Sequence, residues 1–482
     1  MTEFLYRFRP VDRLLDKNHE LERQEIYFAP PDQLNDPMEG FRDIFWKGDS
    51  VVWRNLFKHF LLCLNHAYAM LAIVQEEHPI EWQHIPILDP RKMAVAPSAV
   101  ALHQSLVDEF FSDSVVAAYI EKLSLRNIPV RRIELEMHIK NIHLIALPII
   151  YGVYRKRGLL PDQGNSPNFI DAARSEMLKL IEVISEVDKI RDFGIGEKFD
   201  AEWIFAAQQN ATRQLDLINQ YNRLLDSGQK NKLFVLVNFP GEYVQQLERI
   251  VHPDWYAACF MRHCSNSSTW GHYGSSHSGV CLKFKTTQTD AGPALRLRTL
   301  CGVNGAGPIY SIVNHIFRPI TYDSRYPEID FFRTLGRLPF PVINAQWYTD
   351  DDGHRSECAD GLDGHDDQWR QKYWKEFYSL TATKLKDWEY EAECRLVLHS
   401  SLFDLGADDR LLRYEFEDLD GIIFGIRTSM DDKLKITKII EDKCRASNRL
   451  DFNFYQAYYS SHDSKIGYSK MSLLRFDIGK VS

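Results

Sequence analysis

Between about residues 51 and 250 this chain carries apolar side chains at helical spacing with few breakers, whereas the sequence on both sides reads as short strands divided by turns. That change of period constrains the fold more than any other feature. It predicts an α+β design: an N-terminal β-α-β piece, a helical insertion, and a C-terminal mixed part that completes the same sheet. The expected core domain is discontinuous, 1–50 and 255–482, around a helical insertion domain at 51–254.

At the N-terminus, Phe4 to Arg9 reads as a strand ended by Pro10. Its alternation puts Phe4, Tyr6 and Phe8 on one face and Leu5, Arg7 and Arg9 on the other. Residues 11 to 23 look helical, and Glu25 to Ala29 a second strand. Pro30-Pro31 and Asn35-Asp36-Pro37 then force a turn-rich loop, because each proline pushes its predecessor out of the helical region. Within the central block, Asp171 to Asp192 and Glu202 to Leu225 have the clearest helical spacing. Strand-like runs return at Tyr256–Met261, Gly279–Lys285, Phe317–Tyr322, Tyr390–His399, Arg413–Phe416, Gly421–Phe424 and Phe452–Tyr459. The acidic, glycine-containing stretch from Asp350 to Asp367 reads as an exposed, disordered loop and does not match a calcium-binding loop.

Composition excludes several classes. With 58 basic and 67 acidic residues the net charge is −9, the wrong sign for a domain that holds nucleic acid by bulk electrostatics. Eight cysteines in 482 residues are too sparse for a disulfide scaffold. The N-terminus lacks the apolar stretch of a signal peptide. The two most apolar segments, Phe57–Val74 and Ile142–Tyr154, are interrupted by Lys58, His59, Asn65 and His66 in the first and Pro148 in the second, so neither reads as a membrane span. The expectation is a soluble protein in a reducing, cytoplasmic compartment with no membrane partner.

Four segments carry candidate chemistry. Cys259 to Cys281 holds enough Cys and His for zinc, but it has no Cys-x-x-Cys knuckle, and both end cysteines sit in apolar strand-like runs; no metal is expected. The same segment places Trp270 and Tyr273 one turn apart on a short helix capped by Thr269, followed by His277 in a turn. These form either a packed aromatic corner or a wall for a planar ring such as a nucleobase or nicotinamide. In Lys384 to Leu398, a strand reading alternates Glu389, Glu391, Glu393 and Arg395 onto one face. That is a solvated strand face or a paired-carboxylate site for acid–base work and stabilisation of positive charge. Arg7 and Arg9, about 7 Å apart on one strand face, suit a diphosphate or those carboxylates. Asn35 and Asp36 cap a turn or place a polar group at a cleft mouth. The chain has no phosphate-binding Gly-x-x-x-x-Gly-Lys-Ser/Thr, no Gly-x-Gly-x-x-Gly and no Gly-x-Ser-x-Gly.

In order along the chain, these pieces resemble a bacterial family known as domain of unknown function 2971. The matching segments are Tyr6-Arg-Phe-Arg9, Ile26-Tyr-Phe28 leading to Leu34-Asn-Asp-Pro37, then Trp270, Tyr273, His277 and Gly279, then Lys384, Trp388, Tyr390, Glu391, Glu393 and Arg395, and finally Ile422 to Gly425. The helical block looks longer than is usual in that family. The motif order also looks like the ADP-ribosyltransferase plan, which implies a mixed, antiparallel core of that fold. The resemblance implies NAD as substrate, Arg7 as its anchor with Arg9, Asn35, Asp36 and Arg395 nearby, Tyr27, Trp270 or Tyr273 as the stacking ring, and Glu391, Glu393 and His277 as catalytic. The Ser-Thr-Ser element of one subclass is replaced by Ala29-Pro-Pro31.

The resulting expectation is an NAD-using ADP-ribosyltransferase or NAD glycohydrolase, a toxic effector of bacterial defence acting on a macromolecular target. The alternative is a non-enzymatic sensor whose helical block engages a protein partner. A metal-dependent nuclease is disfavoured by the net charge.

Overall fold

The computed structural model describes residues 3–90, 96–160, 169–192, 228–305, 307–362, 366–400 and 405–476, with scattered positions between 206 and 222. The chain is mixed α+β, with antiparallel and mixed sheets. It divides into two compact units, one of 1–41, 254–327 and 377–482 and the other of 42–253 and 328–376. The second unit therefore takes 42–50 and 328–376, which the change of period alone assigns to the core.

The first unit is built on an eight-stranded sheet. Its order is Arg318–Pro319, Glu393–His399, Trp255–Met261, Phe4–Arg9, Val280–Lys285, Leu419–Phe424, Asn453–Ser460 and Lys465–Lys470. The pairs are antiparallel except Leu419–Phe424 with Asn453–Ser460, a parallel pair joined by the helix Met430–Ser447. The terminal segments thus meet in one sheet, as the patterning predicts. Glu25–Tyr27 does not join it. That strand pairs with Leu411–Tyr414, which pairs with Gly292–Asn304 in a second, five-stranded sheet. The long hairpin of Gly292–Asn304 and Gly307–Ile316 has no counterpart in the sequence reading.

Alternation decides what each face does. Leu5, Phe260, Phe284 and Leu396 from the first sheet pack with Ile26, Leu295, Leu297 and Leu412 from the second. Ile436, Ile440 and Cys444, one helical turn apart, complete that core. The opposite face of the large sheet carries Phe8, Met261, Trp270, Cys281 and Ile423, with Tyr6 and Tyr273 packed against them. That face positions the candidate site.

In the second unit, the helices Ser50–Val74, Pro97–Phe111, Ser114–Ser124, Arg132–Lys156 and Phe169–Asp192 accompany a small sheet of Glu328–Asp330, Asp43–Trp46 and Val130–Arg131. Ser50–Val74 is long and apolar enough, by length and composition, to cross a membrane, and half of its most apolar window is buried in the protein. Its polar residues are bonded within the unit: Asn55 to the carbonyls of Trp347 and Thr349, His59 to Tyr243, and Asn65 to Tyr154. Pro148 does not break Arg132–Lys156. Much of the expected helix at Glu202–Leu225 lies outside the described residues. The acidic stretch is ordered where described: Thr349 bridges Arg355, Glu357–Ala359 forms a 3-10 turn, and Cys358, Ala359 and Leu362 are buried. Apolar burial overrides its acidic composition.

Candidate active site

The site grows from two local devices. At Asn35-Asp-Pro37 the Asp36 carboxylate accepts the backbone N–H of Met38 at 2.9 Å, so the residue caps a turn. The turn sends Glu39 inward, where its side chain is 2% exposed. The second device is a 3-10 turn, Lys386–Glu391, closed by Ala392 in the left-handed conformation at φ 46°. The strand begins only at Glu393. The expected strand alternation from Glu389 therefore fails: Glu389 is exposed, while Glu391 and Glu393 are both buried.

These devices gather three carboxylates around two cations. Lys384 Nζ donates to Glu391 at 2.8 Å and to Glu393 at 3.3 Å, and lies 3.7 Å from Glu39. Arg395 donates to Glu393 at 2.7 Å, to Glu39 at 2.6 Å and to the carbonyl of Thr381 at 3.1 Å. Tyr273 Oη donates to Glu391 at 2.7 Å, and Tyr322 Oη accepts the Glu393 N–H at 2.8 Å. Unpaired charge in such burial would cost several kcal/mol per ion, so the pairing is what makes the cluster tolerable.

With three carboxylates against two cations, one negative charge is in excess. The two adjacent glutamates are shifted in opposite directions. Burial raises Glu391 above the ordinary carboxylate range, although Lys384 opposes the shift. Burial would raise Glu393 as well, but Arg395 and Lys384 outweigh it and hold that group at about 2. Burial and the neighbouring cations thus push two adjacent carboxylates in opposite directions, the kind of division acid–base chemistry uses.

Beside the cluster stands a set of accessible aromatic rings. Lys384 Nζ lies 4.5 Å from the centroid of Trp388, whose ring is 6.2 Å from Tyr390. His272 meets both edge-on at 6.4 Å. Tyr390 and His272 are exposed and Trp388 is half-buried.

The sequence candidates divide sharply. Glu391, Glu393, Arg395 and Tyr273 come together. Trp270 and His277 share their face but make the packed corner. Trp270 is 1% exposed, edge-on to Phe8 at 4.8 Å, with the His277 ring stacked 6.5 Å away, so it is core and offers no open ring. Arg7 is on the other side of the sheet. Register aligns Tyr6 with Met261 and Met261 with Glu393, so Tyr6 is the first-strand residue on the carboxylate face. Arg7 is instead buried above Phe260, donating to the carbonyls of Cys259 and Tyr27, and burial lowers its pKa to about 10. Arg9 is neutralised by Glu20 at 2.7 Å. Tyr27 lies on the second sheet and bonds Gln33, and Asn35 is exposed. Asp36 is buried with Oδ2 unpartnered.

Sequence reasoning missed Glu39, Tyr322, Tyr6, and the rim of His272, Trp388 and Tyr390. Lys384, Trp388 and Tyr390 stand within the Lys384–Arg395 motif, so a signal existed for them. Glu39 had none beyond its place just after the Asn-Asp-Pro turn. Among the described residues, a group with metal-ligand spacing occurs at the part-buried Asp350 and the exposed Asp352 and His354, in the other unit. No family model, curated protein or solved structure matches this chain.

Proposed function

We propose that this face is the reaction centre of an NAD-consuming enzyme, either an ADP-ribosyltransferase or an NAD glycohydrolase. The observation that carries the reading is the pair of glutamates, Glu391 and Glu393, bridged by Lys384 next to an accessible aromatic rim of His272, Trp388 and Tyr390. Nicotinamide in NAD is a planar cation, which Trp388, Tyr390 and His272 suit by stacking and cation–π attraction. When the nicotinamide–ribose bond breaks, nicotinamide leaves with the bonding electron pair and positive charge builds on the ribose. Glu393 supplies fixed negative charge for that state. Water or a target nucleophile then bonds to the ribose carbon and gives up a proton. Arg7 and Tyr27 have no part in this version of the reading, and Tyr6 takes the first-strand position. A role as a toxic effector of bacterial defence belongs to the same proposal and awaits a target.

A second reading is favoured by a specific observation: the side chains of Glu391 and Glu393 are 0% and 1% exposed, with Lys384 and Arg395 bonded across them. In that reading the cluster is a structural keystone of a non-enzymatic binding module.

The deciding experiment follows nicotinamide release and labelled ADP-ribose transfer by the full chain, with and without cell lysate. The catalytic reading expects turnover that is abolished in a folded Glu391→Gln, Glu393→Gln variant. It also expects turnover to fall at least tenfold in Trp388→Ala, Tyr390→Ala, whose positions lie outside the core. No turnover in any condition favours the binding module.

A further inference from the structure

The outer face of the five-stranded sheet carries charges that the carboxylate cluster does not use. Ile26, Leu412 and Leu297 point from these strands into the core. Alternation turns Glu25, Arg413 and Arg298 outward, in register across three neighbouring strands. Arg413 pairs with Glu25 at 3.4 Å. Arg298 stands directly opposite Arg413, and like charges facing each other destabilise a strand pair unless something answers them. Among the described residues, neither Arg298 nor Arg23 has a carboxylate within 4.0 Å. Arg298 lies 5.3 Å from the ring centroid of Tyr310.

These residues converge on one cleft of about 410 Å³, lined by Arg23, Glu25, Arg298, Tyr310, Asp408, Leu411 and Arg413. Three guanidinium groups there face two carboxylates, one of which is already paired. Adjacent strands are about 4.8 Å apart, so two cross-strand arginines can grip the oxygens of one phosphoryl group with forked hydrogen bonds.

We propose that this cleft binds a phosphoryl anion of the diphosphate class, with Arg298 and Arg413 as the forked donors, Arg23 at the rim, and Tyr310 as a flat surface beside them. It does not rest on the NAD reading, which uses a different sheet.

The test is titration calorimetry of the full chain at low salt with inorganic pyrophosphate and, separately, ADP. Saturable binding of pyrophosphate is expected, weakened at least tenfold in Arg298→Ala, Arg413→Ala and unchanged in Lys438→Ala, an exposed lysine on another element. Equal affinities for the two probes would identify free diphosphate as the ligand. ADP binding at least tenfold tighter would identify a nucleotide whose base uses Tyr310. Absence of saturable binding by both probes, or binding that the double variant leaves intact, would overturn the proposal. All three positions are exposed, and circular dichroism of each variant verifies folding.

Discussion

Glu391 and Glu393 share one ammonium: Lys384 Nζ lies 2.8 Å from the first and 3.3 Å from the second. Arg395 then grips Glu393 and Glu39 but makes no ion pair with Glu391 among the described residues. That asymmetry divides the two carboxylates, and it has consequences for stability whether or not the site turns over a substrate.

Neutralising the two glutamates should have unequal effects. Glu391→Gln keeps a hydrogen-bonding group where burial already disfavours the charge, and should cost less than the change at Glu393. Glu393→Gln leaves buried Arg395 short of its counter-charge, and should cost about 3–5 kcal/mol. Urea unfolding of both variants measures the difference. Equal losses would contradict that asymmetry between the two carboxylates.

The pH dependence has opposite signs at the two positions. Glu393 titrates in the folded protein at about 2, below its ordinary value of 4.5, so the unfolded chain binds that proton more tightly. Its stabilisation is complete above 4.5 and disappears as pH falls toward 2. Glu391 is shifted upward, so its contribution is present below the ordinary carboxylate value and is lost as pH rises through the raised one. Acid unfolding between pH 4.5 and 2 should therefore be shallower in Glu393→Gln than in the parent chain. Thermal melts across that range, compared with Glu391→Gln, provide the check.

His277 occupies a strained backbone position. Ser275, Ser276 and His277 have φ of 48°, 53° and 72°, and Gly425 approaches so closely that a Cβ there would lie 2.3 Å from the His277 carbonyl. Left-handed conformations cost non-glycine residues about 1 kcal/mol. His277→Gly should regain up to about that amount, offset by the lost stacking on Trp270, whereas His277→Ala should only destabilise. Denaturation midpoints of the two variants compare them directly, and a glycine variant no better than the alanine one would refute the strain argument.

Among the described residues, the strand Gly307–Ile316 pairs only with Gly292–Asn304, and it exposes Ile309, Tyr310, Ile312 and Val313 by 36% to 56%. An apolar edge strand is a template for pairing between chains. Ile309→Lys, opposite Gly302, should reduce concentration-dependent association, with stability changed by no more than about 0.5 kcal/mol. Light scattering across a dilution series would read this, and unchanged association would show that the edge is not the sticky surface.

Much of the first unit was legible in the sequence because alternation and strand propensity are local. Phe4–Arg9, Trp255–Met261 and Val280–Lys285 stand close to where the patterning put them, and Leu5 and Phe8 do face opposite ways. The hairpin at 292–316 was not legible, since its second strand is exposed along most of its length and has no buried alternation to show. Nor was the break at Ala392, where a left-handed residue ends one turn and starts the strand.

Local patterning was enough to make the ends of the chain strands and its middle helical, and it put Tyr273, Glu391, Glu393 and Arg395 among the site candidates together with Arg7, Tyr27 and His277. Which face of the first strand looks toward the carboxylates came from the folded sheet alone. Alternation divides Tyr6 from Arg7 but carries no sign, because either face is compatible with the same period of two. The register of Tyr6 with Met261 and of Met261 with Glu393 supplies that sign. It places Tyr6 with the carboxylates and buries Arg7 on the other side of the sheet. The charge balance of the site was likewise tertiary, since Glu39 reaches Arg395 across 356 residues of chain.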